Sequence, residues 1–144
     1  MASDRYQITL THSQLGEIAR ALEACFRMGI GQPSSSLQYC RNAEGAPAIW
    51  AWDDVQPIER AIKDKMRLHP NASWGVGRFE KLDVLCEMYK SIEHFMSWEH
   101  AVKDGVVQSM DAPRRWPEMM GCNYDEPMRY TSEPMIKVEK CNGE

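Results

Sequence analysis

The sequence predicts an α+β fold: a single domain of two or three main helices packed on a small, mainly antiparallel sheet. Three observations carry this expectation. One stretch near the amino terminus and a longer one in the second half repeat apolar residues every three or four positions, the period of a helix with one buried face. Short stretches rich in β-formers lie near both ends. At 144 residues the chain makes one globular domain, 1–144, long enough to bury a core without disulfides or metal.

The first element, "RYQITL" from Arg5 to Leu10, alternates in side-chain character and reads as a strand. "THSQ", Thr11 to Gln14, then has the spacing of a capping box, so a helix begins at His12. Leu15, Ile18, Ala19, Leu22, Cys25 and Phe26 give that helix its apolar face. The pattern falters at Gly29, and Pro33 marks a break or a fresh helix start near "QPSSS". "RNAEGAP", Arg41 to Pro47, is a loop by its turn residues. Ile58, Ala61, Ile62 and Met66 place a helix from about Val55 to a point before Pro70.

"SWGVG", Ser73 to Gly77, reads as a short strand whose two glycines suggest close approach by another backbone or a ligand. The longest helix spans about Leu82 to Val102, with Leu85, Met88, Tyr89, Ile92, Phe95 and Met96 on neighbouring turns. "APRRWPEMMG" is a loop, and extended pieces at Met128–Thr131 and Met135–Glu139 flank a Ser-Glu-Pro turn.

Seventeen basic against 21 acidic residues leave a net charge of -4, with no cationic cluster of the kind a nucleic-acid polymer requires. Five scattered cysteines form no C-x-x-C pair and fit a reducing cytoplasm. Neither a signal segment nor a run of about 18 apolar residues is present, so a cytoplasmic protein off the membrane is expected.

Catalytic signatures are missing: no G-x-S-x-G elbow, Walker loop or Rossmann glycine pattern occurs. His94 and His100 are six apart, which suits neither the i+3 nor the i+4 spacing of helical metal ligands. The expectation is a non-enzyme with no metal and no cofactor.

Two clusters are candidates for binding. In "HPNASWGVGR", Asn71, Trp74 and Arg78 combine an amide for base edges, an aromatic face for stacking and a guanidinium for phosphate. The structural alternative is a tryptophan buried in a tight turn. In "CNYDEPMRY", Asn123 and Arg129 stand among tyrosines, where Arg129 suits a phosphate or, equally, an ion pair with Asp125 or Glu126.

A capped helix ending in "FRMGIGQ", "NASWGVG" leading into a helix that ends "FMSWEHAV", and a terminal "NYDEPMRYTSEPMIKVE" together resemble small phage and prophage proteins of the Thoeris anti-defence 1 family, over about half of the chain. The resemblance implies a non-enzymatic phage protein that sequesters a cyclic nucleotide immune signal of the glycocyclic ADP-ribose type. It also implies a homodimer or higher homo-oligomer with ligand pockets at subunit interfaces. Under it Arg129 takes the role of phosphate-binding arginine, and Phe95 or Trp74 that of base-stacking aromatic.

The same resemblance offers a reason for the two glycines of "CFRMGIGQ": close packing of the first helix on a symmetry mate, with Arg27 and Gln32 flanking a shared pocket. The alternative is a glycine in a left-handed conformation that ends the helix. A different class of function also fits: a phage regulator or inhibitor that binds a host protein through its Met-rich helices. An enzyme acting on nucleotides ranks third.

Overall fold

The computed structural model describes residues 4–49, 51–106 and 125–142. Four helices follow one another: α1 His12–Gly29, α2 Ser34–Leu37, α3 Trp52–Met66 and α4 Glu80–Lys103. Among the described residues there is no strand; an isolated bridge between Arg41 and Pro47 closes a loop. The expected α+β fold with an antiparallel sheet is therefore corrected to a helical one.

The correction has a physical basis at each expected strand. A lone β-forming stretch gains nothing from being extended unless a second strand takes its N–H and C=O groups. Arg5–Leu10 finds no such neighbour among the described residues, and Tyr6 and Ile8 stay 87% and 76% exposed. "SWGVG" turns instead of extending, because Gly75 and Gly77 adopt φ of 67° and 84°. The two carboxy-terminal pieces form no ladder; in the first, Thr131 donates instead to Glu87 of α4.

α1 begins as its sequence requires. Thr11 Oγ1 accepts from Gln14 N, and Gln14 Oε1 accepts from Thr11 N at 2.9 Å, which satisfies two otherwise orphaned donors. Its C terminus is a Schellman motif: Gly31 N donates to Met28 O and Gln32 N to Arg27 O, with Gly31 at φ 90°.

The two glycines of "CFRMGIGQ" thus have different duties. Gly31 supplies the left-handed turn. Gly29 admits α4, since a Cβ there would lie 2.5 Å from Leu82 Cδ2. The close approach lies within one chain, between α1 and α4.

These two helices form the central pair, with α2 against α1 and α3 against α2. The core consists of Phe26, Ile30, Cys86 and Tyr89, with Leu22, Trp74, Leu82 and Leu85 packed around it. Of the expected α1 face, Ala19 and Phe26 are buried, Leu15 and Leu22 are half-buried, and Ile18 and Cys25 are exposed. α3 starts three residues earlier than expected, at Trp52, and ends in a left-handed Arg67 with φ 56°. Its buried Lys63 donates to Pro70 O at 2.7 Å and pairs with Glu59 at 3.0 Å, fixing the chain that leaves the helix.

The tail, residues 125–142, runs along α4 and doubles back. Glu126 meets His94, Tyr130 and Thr131 meet Glu87, and Lys140 returns to Glu99.

Candidate ligand site at the C terminus of α1

The turn that ends α1 positions a chain of polar side chains. Arg27, in the last turn, donates from Nε to Glu23 Oε1 at 2.7 Å and from Nη1 to Gln32 Oε1 at 2.9 Å. Gln32 Nε2 in turn donates to Ser73 Oγ at 3.2 Å. The Schellman geometry brings Gln32 back over the helix end, so Arg27 and Gln32 meet although five positions apart.

This chain has a definite polarity. With its carbonyl turned to Arg27 and its amide to Ser73, Gln32 has one orientation, and the Ser73 hydroxyl hydrogen remains to be donated. The hydrogen bond that Arg27 donates to Glu23 raises the Arg27 pKa further above its ordinary value, against the effect of burial. Glu93 of α4 feels the same pair: burial, then the Glu23 charge, push its carboxyl up from the ordinary range.

Beside Ser73 the backbone is anchored by Trp74 N, which donates to Ile30 O at 2.8 Å. The Trp74 ring packs against the core on one part of its surface. Arg78 stacks on it, with the guanidinium carbon 4.1 Å from the ring centroid, and Phe79 meets it edge-on at 6.0 Å. Between them, nothing lies within 4 Å of where a Cβ would stand on Gly75 or Gly77. Asp83, buried in the first turns of α4, accepts from Gly77 N at 2.9 Å and holds this loop to the helix.

Arg78 is exposed, and among the described residues no carboxylate pairs with its guanidinium. Stacking on an indole leaves the in-plane N–H donors of a guanidinium directed outward. The arrangement therefore offers an exposed cation seated on a ring that packs against the core, suited to a phosphate or a carboxylate.

Of the residues singled out from sequence, the structure joins Arg27 to Gln32 and, through Ser73 and Trp74, places them along one stretch of chain with Arg78. Asn71 lies in the exposed turn just before, its N–H donating to His69 Nδ1. Phe95 sits half-buried on α4, nine residues or about 14 Å of helix beyond Cys86, away from the Trp74 loop.

Arg129 is engaged in the tail, donating to Glu133 O and standing 4.0 Å from Glu87 Oε1. Asn123 lies outside the described residues, as do Trp50 and Trp116. Glu23 and Glu93 are additions: Glu23 was legible as the i−4 partner of Arg27, whereas Glu93 needed the α1–α4 packing.

The two histidines on α4 go separate ways, His94 to Glu126 at 3.5 Å and His100 to Asp104 at 2.9 Å. No helix among the described residues is long and apolar enough to cross a membrane. No protein-family model, no curated protein and no solved structure matches this chain.

Proposed function

We propose that this chain is a phage anti-defence protein that binds a cyclic nucleotide immune signal of the glycocyclic ADP-ribose type and holds it without degrading it. The observation that carries the reading is the Arg78 guanidinium, stacked on Trp74 and paired with no carboxylate among the described residues, on the same stretch of chain as Ser73 of the Arg27–Gln32–Ser73 chain. Phosphates of such a ligand fall to Arg78. Its base or ribose edges fall to the Ser73 hydroxyl and the remaining Arg27 donors. The resemblance of the "FRMGIGQ", "NASWGVG" and terminal segments to the Thoeris anti-defence 1 family narrows nucleotide to cyclic ADP-ribose signal.

The mechanism is stoichiometric. Affinity without turnover lowers free signal only by occupancy, so protein must match or exceed the signal. A homo-oligomer, as the resemblance implies, completes the pocket with a second copy.

A thermal-shift panel of glycocyclic ADP-ribose isomers, cyclic di- and trinucleotides, NAD and ADP-ribose tests the assignment. Ligand at about 100 times its dissociation constant stabilises the fold by about 2.7 kcal/mol, a shift of several degrees.

A second reading rests on the large exposed apolar side chains Tyr6, Ile8 and Trp52, the last 65% exposed. These suit a protein partner, and under that reading the chain is a phage regulator or inhibitor of a host protein. A flat ligand panel together with a specific host partner in a pull-down favours it.

A further inference from the structure

We infer that the C-terminal segment 125–142 is a releasable strap across α4 and that the Glu87 carboxylate is its latch. Glu87 is 5% exposed, and among the described residues its side-chain hydrogen bonds come from the tail. Oε1 accepts from the backbone N–H of Tyr130 and of Thr131, the latter at 2.8 Å. Oε2 accepts from the Thr131 hydroxyl at 2.9 Å. Arg129 supplies a positive charge 4.0 Å away. A buried carboxylate deprived of these donors would face a large desolvation cost, so the tail and the charge depend on each other.

The ion pairs from the tail to His94 and Glu99 are weak by comparison. Glu126, which reaches His94, is 87% exposed in its side chain, and Lys140, which reaches Glu99 at 3.7 Å, is 76% exposed. Exposed pairs of this kind contribute little. The tail has neither helix nor strand of its own. Tyr130, Met135, Ile136 and Val138 are half-buried along it, and its hydrogen bonds to a buried side chain converge on one carboxylate, on a helix that is fixed independently by α1. Such a segment opens locally, without unfolding the α1–α4 pair, and its opening uncovers the α4 surface bearing Glu87, His94 and Glu99.

Hydrogen exchange on the full chain, read at single amides in wild type, Glu87→Gln and Glu99→Gln, tests the latch. In Glu87→Gln, protection at Tyr130 and Thr131 falls by about ten-fold or more, the loss expected when a charge-assisted acceptor becomes neutral. Amides in the middle of α1 and α4 keep their protection, and Glu99→Gln leaves Tyr130 and Thr131 as in wild type. Unchanged protection at Tyr130 and Thr131 in Glu87→Gln overturns the inference, as does protection lost equally along α1 and α4. Should Glu87→Gln fail to fold, Thr131→Val removes one donor and keeps the carboxylate. It loosens the Tyr130 amide with α1 unaffected, and no change in that variant is equally fatal.

Discussion

The guanidinium of Arg78 lies 4.1 Å above the ring of Trp74, a residue whose own N–H is tied to Ile30 at the end of α1. The exposed cation is thereby seated on a ring that packs against the core formed by α1 and α4. Binding an anion there demands little further ordering of the side chain, which is the advantage of preorganisation.

Arg78→Ala removes the charge and leaves the core untouched. Affinity for a phosphate-bearing ligand falls by about 1.5 to 3 kcal/mol, roughly ten- to a hundred-fold. The thermal midpoint without ligand stays close to wild type, because an exposed cation contributes little to folding. Calorimetric titration of both proteins checks it. Equal affinities remove Arg78 from the site.

Gly31→Ala destabilises the chain more than Gly29→Ala. At Gly31 the added methyl meets two penalties, a φ of 90° and Leu68 Cδ1 at 2.7 Å, for about 1 to 3 kcal/mol. At Gly29, the last residue of α1, the backbone is helical and carries no such φ penalty, so the cost is the shift forced on the Leu82 side chain alone. Urea unfolding of the two variants gives the order directly.

Glu93 bears on the pH dependence. Its folded-state pKa is raised, by burial first and by Glu23 second, so its charged form costs stability at neutral pH. Glu93→Gln accordingly stabilises the protein at pH 7. The gain shrinks as pH falls through the folded-state pKa, where wild-type Glu93 takes up its proton, and is gone below the unfolded value. Glu87 has the opposite sign: burial raises its pKa, but hydrogen bonds from Tyr130 and Thr131 and the charge of Arg129 carry it below the ordinary value. Its contribution is present above the unfolded-state pKa and is lost as pH falls through the folded one. Thermal unfolding of wild type and Glu93→Gln between pH 7 and 4 separates the two effects.

Much of the helical frame was legible locally. The Thr11–Gln14 box fixed the start of α1, Gly31 fixed its end, and the period of α4 placed that helix within two residues at each end. The sheet was misread because alternation in "RYQITL" records only what the stretch would do beside another strand, and whether a partner arrives is a tertiary matter. Arg129 shows the same limit. Nothing near it in sequence announces Glu87, 42 positions earlier, which occupies its surroundings in the fold. In the candidate site, Trp74 and Arg78 were close enough in sequence to be paired, and Arg27 and Gln32 were both visible. Their union through Ser73 depended on the turn after α3 returning to the end of α1.

Equilibrium dialysis against glycocyclic ADP-ribose, with mass spectrometry of the free and heat-released ligand, tests the central claim most directly. Sequestration predicts that free signal falls in fixed molar proportion to protein and that heating returns it intact. Free signal unchanged by excess protein, or signal consumed beyond the protein present and not recovered on heating, would contradict it.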